Sequence, residues 1–337
     1  MGLRIIEYAE SSGDLREAYD RSRERPLPPV YIPRGHEVPG IIRAHSLDAQ
    51  LIPKVGAVST SLVAAGPLEW PERELVAAVT SRLNQSYYCT ACHAEFLRTA
   101  LGGDLVLPLA VVTAPRNVRS GTQRMQRLAE LTVIVTEAPW TLSPMHRERA
   151  HEGGLEDDDI LQAIMLSSHV GHMNRISDAV GMSLEYDVEI KPPLADPSTA
   201  PLAFAPVAII GRPAIDPMCR PAAVAAFAAW RSYMYERDAP LTRRQRTVIA
   251  RWVAHWLGDA SISPPDDLTL NPLDDALREL AQVVTLSSWS IGDATFARLR
   301  EAGFDDAALF DACTVASSMT VFSRMTVALA ALGRHKA

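Results

Sequence analysis

The sequence has few cysteines, few aromatic residues and no excess of positive charge, and these shortages exclude whole classes of protein. Its 337 residues include only 4 cysteines, Cys89, Cys92, Cys219 and Cys313, too few for a fold held together by disulfides. Lys and Arg number 33 against 40 Asp and Glu, so the chain lacks the basic surplus of nucleic-acid-binding proteins. A disordered chain is also excluded, because 47% of the residues are hydrophobic.

Long hydrophobic runs are missing as well. The first residues contain no apolar run of signal-peptide length, and Ile6 stands where a myristoylation signal requires Ser or Thr. The longest apolar stretches, such as 201–211, are interrupted by prolines and are far shorter than the ~20 residues of a membrane span. We therefore expect a cytoplasmic protein with reduced thiols and without nucleic-acid or membrane partners.

Most of the sequence carries the apolar spacing of three and four residues that is typical of helices. Clear stripes occur within 75–83, 160–180 and 277–286, whereas alternating strand patterns are scarce. The best strand-like run, Leu105–Val112, is compatible with a short strand or with a buried extended loop. The sequence therefore predicts an all-α protein.

A proline-rich segment at 191–218 divides the chain. Proline at this density disfavours helix and favours an extended linker, and the apolar residues between the prolines predict that it lies on the surface of the fold. The predicted domains are therefore 1–190 and 219–337, joined by the linker 191–218.

The two halves resemble one another at a fixed spacing. Leu128-Ala-Glu-Leu131 returns 149 residues later as Leu277-Arg-Glu-Leu280, and Gly154-Leu-Glu-Asp returns as Gly303-Phe-Asp-Asp. Upstream the spacing becomes 173 residues, so the second copy is about 24 residues shorter. The pattern indicates a tandem duplication. The second copy lacks the part that carries cysteine and histidine in the first, so we expect it to be catalytically inactive.

The segment 70–97 holds the residues with the clearest chemistry. A Trp-Pro pair predicts a helix start at residue 70, and Ser86 is a candidate N-cap of a second helix. Cys89 and His93 lie four residues apart on one face of that second helix, flanked by Ser86 and Cys92. The helix N-terminus is expected to lower the pKa of Cys89, and a histidine one turn away can exchange its proton. The pattern therefore predicts a reactive thiol.

Other interpretations of these residues stay open. Cys89-Thr-Ala-Cys92-His93 fits the C-x-x-C-H pattern of c-type haem attachment, although that chemistry requires export. A metal site is not favoured, but its ligands would be Cys89, His93, His169 and His172. The residues are also compatible with buried structural cysteines beside a hydrogen-bonded histidine.

The motif resembles that of the AhpD-like alkylhydroperoxidase and carboxymuconolactone decarboxylase superfamily. The family pattern is Glu, eleven residues, Cys, two residues, Cys, three residues and His. Glu74, Ser86, Cys89 and His93 occupy those four positions at the same spacing. The resemblance extends over about residues 8–185 and is closest to the peroxidase-related branch.

The resemblance implies two AhpD-like helical bundle domains in tandem, related by a pseudo-two-fold axis. It also implies an alkylhydroperoxidase-like enzyme that acts on a small peroxide or another small substrate. An external thiol would be the reductant, no bound cofactor is expected, and a homodimer of such chains is compatible with the family's oligomers. Arg175, near the end of the first copy, is expected to pair with a carboxylate inside the bundle.

The resemblance also implies roles for individual residues. Cys89 falls on the family thiol that attacks peroxide and would be activated by His93 and Glu74. The family's first cysteine is Ser86 here, so Cys92, one turn later, is the expected resolving thiol.

Tyr88, His169 and His172 are the expected substrate contacts. Two alternatives remain from the altered motif. One is a non-redox enzyme of a specialised pathway, decarboxylase-like or metal-dependent, and the other is a protein that senses oxidation through Cys89 without turnover.

Overall fold

A computed structural model describes residues 2–25, 28–63, 66–196 and 198–334. Within these residues the protein is all-helical, as the sequence predicts, and its sole β-type pairing is an isolated bridge between Ile209 and Asp259. The α-helices, numbered in chain order, are α1 (Gly13–Arg23), α2 (Gly40–Arg43), α3 (Leu51–Val63), α4 (Trp70–Leu83), α5 (Tyr87–Ala100), α6 (Val106–Thr113), α7 (Gln123–Glu137), α8 (Pro144–Glu152), α9 (Asp157–Val180), α10 (Pro221–Glu236), α11 (Arg243–Leu257), α12 (Pro272–Leu286), α13 (Asp293–Glu301) and α14 (Asp306–Leu332).

Two long helices, α9 and α14, pack against each other in the centre of the molecule. Most of their residues are buried, because shorter helices cover them on the remaining sides. A capping box between Glu156 and Asp159 begins α9, and the Asp305 side chain accepts the Ala308 N–H at the start of α14. Their buried faces belong to one hydrophobic core that runs through both halves of the chain.

Among the described residues, α14 is the one helix that is long and apolar enough to cross a membrane. However, 89% of its apolar window is buried inside the fold. Its apolar side chains therefore already have protein partners.

The order of helices in the second half follows that in the first. The helices α12, α13 and α14 begin 149 residues after α7, α8 and α9, and α11 begins 173 residues after α4. These are the two spacings found in the sequence. The motif helix α5 and the following α6 have no α-helical counterpart, since residues 258–271 contain only a short 3-10 turn.

The prediction for Leu105–Val112 is wrong. These residues form neither a strand nor an extended loop but most of α6, with Leu107, Val111 and Val112 buried. An apolar run of eight residues contains too few turns for its periodicity to separate a strand from a buried helix.

The proline-rich segment 191–218 contains no α-helix in its described residues and lies along the second half of the chain. Two backbone hydrogen bonds hold it there. The Ala205 N–H donates to the Trp256 carbonyl at 2.8 Å, and the Ile209 N–H donates to the Gly258 carbonyl at 2.7 Å. The domain limits drawn from the sequence stay a prediction.

Arg175 on α9 does not form the carboxylate ion pair expected from the sequence. Its guanidinium donates instead to the carbonyl oxygens of Gly171 at 2.7 Å and Thr285 at 2.8 Å. Thr285 belongs to the second half of the chain, so this buried cation connects the two halves.

Candidate active site

The helices α4 and α5 hold the motif residues next to each other. A capping box formed by Glu69 and Glu72 begins α4, and a tight turn with Gln85 at a φ of 52° leads from α4 into α5. Ser86 is the N-cap residue of α5, as the sequence predicts, but its side chain does not cap the helix. Its hydroxyl lies 3.0 Å from the Ser177 hydroxyl on α9 instead, so Ser86 helps to join the motif helix to the central helix.

A cavity of about 300 Å³ opens beside this turn and is lined mainly by apolar side chains. The motif residues on its wall are Glu74, Cys89, Cys92 and His93. The lining residues that the structure describes all lie between 25 and 186, so this wall belongs to the first half of the chain. The volume fits a small organic molecule.

A hydrogen bond joins Glu74 to His93 at the cavity. His93 Nδ1 lies 2.8 Å from Glu74 Oε2, and the Tyr31 hydroxyl donates to Oε1 of the same carboxylate. Trp70 Nε1 donates in turn to the Tyr31 oxygen at 2.9 Å. Because the Glu74 carboxylate accepts, a neutral His93 carries its proton on Nδ1 and keeps the Nε2 lone pair free. This arrangement prepares His93 to act as a base.

Cys89 is a buried thiol with a hydroxyl partner. Its side chain lies under α9, with Sγ 3.4 Å from Ser177 Oγ, and the residue is 3% exposed. Burial raises the pKa of Cys89 to about 11, although the hydrogen bond with Ser177 opposes this rise. The expectation of a lowered pKa is therefore wrong, since loss of hydration is the largest influence on this thiol. Cys89 needs a base to form its thiolate near neutral pH.

Cys92 lies one turn further along α5 and is also buried. Burial raises the pKa of its thiol well above the usual value, and the nearby Cys89 adds to the rise. Cys89 and Cys92 are both free thiols in this structure and share one apolar cluster with Tyr88 and Phe96.

Tyr88 lines the cavity, where the sequence expects a substrate contact. Its hydroxyl donates to Glu185 at 3.1 Å, and the same carboxylate forms an ion pair with the buried Arg43. These contacts anchor the hydroxyl end of Tyr88, whose side chain belongs to the apolar cluster of the two thiols.

The two histidines of α9 differ in position. His169 lines the cavity, with Nε2 2.8 Å from the Ser59 hydroxyl, whereas His172 is absent from the wall. His172 lies behind it, with Nε2 3.1 Å from Nε2 of His45 and Nδ1 2.9 Å from the hydroxyl of Ser317 in the second half. The structure therefore brings His169, but not His172, to the cavity.

Hydrogen-bond partners determine the proton positions in this buried cluster. His45 Nδ1 lies 2.8 Å from the Ile41 carbonyl, which only accepts, so a neutral His45 accepts at Nε2. His172 then donates from Nε2 and accepts the Ser317 hydroxyl proton at Nδ1. Burial lowers the pKa of His45 to about 4 and that of His169 to about 3, so these rings are neutral near pH 7.

The metal-ligand set considered from the sequence is not assembled. In residues 2–25, 28–63, 66–196 and 198–334, no group of three or more His, Cys, Asp or Glu side chains is arranged to hold a metal ion. His172 is engaged with His45 and Ser317, while His93 is engaged with Glu74.

The cavity or site residues that the sequence does not predict include Tyr31, His45, Ser177 and Arg25. Tyr31 follows a proline-rich stretch without periodicity, and His45 lies in a short turn after α2, so neither carried a local signal. Ser177 did carry one, because it lies four and eight residues after Met173 and His169 on the same face of α9.

Comparison with known proteins finds no matching family model and no matching curated protein. Solved structures do match. One is the alkylhydroperoxidase AhpD core of an uncharacterized peroxidase-related protein from Ralstonia eutropha JMP134, with 21% identity and a TM-score of 0.46 over 54% of this chain and 90% of that chain. Another is an uncharacterized peroxidase-related protein from Silicibacter sp. TM1040, with 22% identity and a TM-score of 0.45 over 54% and 91% of the two chains.

Proposed function

We propose that this protein is a thiol-dependent peroxidase that reduces a small organic hydroperoxide at Cys89. The observation that carries the proposal is the Glu74–His93 hydrogen bond of 2.8 Å on the wall of the cavity that Cys89 and Cys92 also line. A carboxylate-oriented histidine and a thiol on the wall of one cavity are the groups that nucleophilic catalysis needs.

The reaction begins with proton transfer from Cys89 to Nε2 of His93. Because the pKa of Cys89 is raised to about 11, few molecules carry the thiolate before substrate enters, and a base must assist. Glu74 supports the transfer by stabilising the imidazolium that forms. The Ser177 hydroxyl, 3.4 Å from the sulfur, can rotate to donate to the thiolate.

The thiolate then attacks the terminal oxygen of the hydroperoxide. The O–O bond breaks, the S–O bond of a sulfenic acid forms on Cys89, and the alkoxide leaves with the proton from His93 as an alcohol. The Cys92 sulfur attacks Cys89, forming a disulfide, and the hydroxyl leaves as water with the Cys92 proton. An external dithiol reduces this disulfide and is itself oxidised to a disulfide.

The disulfide step requires a local change in α5. Side chains three apart on a helix have Cβ atoms about 5–6 Å apart, whereas a disulfide needs about 3.5–4.5 Å. Cys89 is the third residue of α5, so loosening the first turn suffices to bring the sulfurs together. First turns have few intrahelical hydrogen bonds to lose.

We further infer that the second half arose by duplication and serves as a fixed structural partner. The shared helix order supports the duplication, and the absence of an α5 counterpart supports the structural role. Ser317 and Trp230 of the second half contact His172 behind the cavity. The second half thus supports the site without contributing to its wall.

The test is a peroxidase assay with cumene hydroperoxide and dithiothreitol. We expect turnover in the wild-type protein, none in Cys89→Ser, and a loss of about 10²–10⁴-fold in His93→Gln. Cys219→Ser is the matched control, because this exposed cysteine lies outside the cavity, and it should retain full activity. Equal activity in Cys89→Ser and wild-type protein would refute the proposal.

A further inference from the structure

The cavity continues from the thiols along one face of α9. Leu166, His169, Val170 and Met173 all line it and are spaced as one helical stripe. Ser177, which contacts Cys89, lies eight residues beyond His169, or about 12 Å along the helix axis. A ligand that fills the cavity therefore reaches from Cys89 towards His169.

A half-buried guanidinium lies on the wall near His169. Arg25 lines the cavity, and its Nη1 would be 3.3 Å from a Cβ placed on Gly56, so the cation lies against α3. Its charge also lowers the pKa of His169, as expected for a neighbour. Among the residues that the structure describes, none forms an ion pair or side-chain hydrogen bond with this guanidinium, and burial is the sole cause of its pKa shift.

The second arginine on the wall provides a contrast. Arg73 Nη1 donates to the Leu68 carbonyl at 2.5 Å, so its charge already has a protein acceptor. Arg25 has no such acceptor within the described part of the chain, and burial lowers its pKa with no carboxylate there to oppose the change. Removing a cation from water without a partner is unfavourable, so a bound anion would stabilise this end of the cavity.

Nearby hydroxyl groups do not provide that partner. The Ser59 hydroxyl is hydrogen-bonded to His169, and the Thr60 hydroxyl donates to the Gly56 carbonyl at 3.0 Å. The rest of the wall is mainly apolar. An occupant therefore needs one anionic group for Arg25 and a carbon body for the remaining surface.

We propose that the cavity binds an amphipathic organic carboxylate, with the carboxylate on Arg25 and the apolar body along α9 towards Cys89. A cavity of about 300 Å³ has room for on the order of ten water-sized groups, which matches an acid such as octanoate. Guanidinium and carboxylate form paired, charge-assisted hydrogen bonds. The inference rests on the proposed function in one respect, since it makes the substrate the hydroperoxide of such an acid.

Calorimetric titration with octanoate and with octan-1-ol tests the binding site without turnover. The two probes share a carbon chain and differ in the carboxylate. We expect wild-type protein to bind octanoate more tightly than octanol by tenfold or more. Arg25→Gln should weaken octanoate binding by about the same factor and leave octanol binding unchanged.

Arg21→Gln is the matched control, because Arg21 is an exposed arginine near the end of α1 and its loss changes the net charge equally. It should bind both probes like the wild type. Octanol binding by Arg25→Gln reports that its cavity is intact. The wild-type comparison of the two probes remains decisive even if Arg25→Gln does not fold.

Equal affinity of wild-type protein for octanoate and octanol would overturn the inference, and so would octanoate binding unaffected by Arg25→Gln in a variant that binds octanol. Either result together with peroxide turnover rejects the anion site and keeps the proposed reaction. Arg25-dependent octanoate binding without peroxide turnover supports the anion site and rejects the reaction.

Discussion

Arg175 on α9 donates a hydrogen bond to the carbonyl oxygen of Thr285, 2.8 Å away in the last turn of α12. The relationship is reciprocal: Arg324, 149 residues after Arg175, donates to the carbonyl of Thr136, 149 residues before Thr285. Each arginine thus neutralises the negative C-terminal end of a helix in the other half. A reciprocal pair of contacts is what a two-fold relation between the halves produces.

We predict that Arg175→Met and Arg324→Met each lower the free energy of unfolding by about 1–3 kcal/mol, because helix-end carbonyls lose their donor. The double variant should lose more than the sum, since Arg175 lowers the pKa of Arg324, the two charges repel, and each single substitution also removes that repulsion. Urea unfolding measures all three variants, with the exposed Arg212→Met as control. Strictly additive losses would contradict the coupling.

We predict that acid destabilises the protein through its buried histidines. Burial lowers the pKa of His45 to about 4, of His169 to about 3 and of His172 well below the usual value. Below about pH 6.5 these histidines bind protons in the unfolded chain but stay neutral in the folded chain. This contribution to stability is therefore complete above pH 6.5 and is lost as the pH falls towards 4 and 3.

For each histidine, the free energy of unfolding should change by about 1.4 kcal/mol per pH unit in this range. Denaturant unfolding at several pH values measures this dependence. Between pH 6 and 4, His169→Gln should reduce the slope of the free energy of unfolding against pH by the contribution of one histidine. His255→Gln, at an exposed position on α11, should not change it. An unchanged slope in His169→Gln would mean that this ring is protonated in the folded protein.

We predict slow alkylation of Cys89 at neutral pH, because its pKa is raised to about 11. The iodoacetamide rate at Cys89, followed by peptide mass spectrometry, should rise about tenfold per pH unit between pH 7 and 10. Ser177→Ala should slow the reaction at each pH, since the thiolate loses a hydrogen-bond donor. A rate that levels off near pH 7 would show that the thiol is already ionised there.

We predict that Tyr31 positions Glu74, and through it His93. Tyr31→Phe removes the hydroxyl that donates to Glu74 and should lower kcat/KM by roughly tenfold, the effect of losing one hydrogen bond to a charged group. It should also shift the pH profile of kcat/KM, which a purely structural role would not do. Tyr186→Phe is the control, because that hydroxyl donates to the Tyr31 backbone carbonyl at 2.8 Å. Matching pH profiles in Tyr31→Phe and wild-type protein would contradict this role.

The sequence predicts those features that depend on local spacing. The stripe in 75–83, the Trp-Pro start at residue 70 and the 149-residue spacing correspond to helices with the expected bounds or offsets. Cys89 and His93, four residues apart, also lie on one helix, α5, as predicted. These signals lie within one or two helical turns, so they do not depend on tertiary packing.

Other features depend on packing and were predicted incorrectly or not at all. The sequence predicts a lowered pKa for Cys89, whereas burial under α9 raises it. Arg175 was expected to meet a carboxylate, yet it reaches a helix end 110 residues away in the chain. The Tyr31 hydroxyl donates to Glu74, which lies 43 residues later in the chain, and local composition does not indicate this contact.

In the proposed reaction, Cys89 reacts with peroxide and Cys92 resolves the product. Both steps change the number of free thiols, which can be counted in reduced protein before and after one equivalent of cumene hydroperoxide, with Cys89→Ser and Cys92→Ser beside the wild type. We predict that the wild type loses two thiols, that Cys89→Ser loses none, and that Cys92→Ser loses one, recovered on addition of dithiothreitol. An unchanged thiol count in the wild-type protein would mean that Cys89 does not react with peroxide.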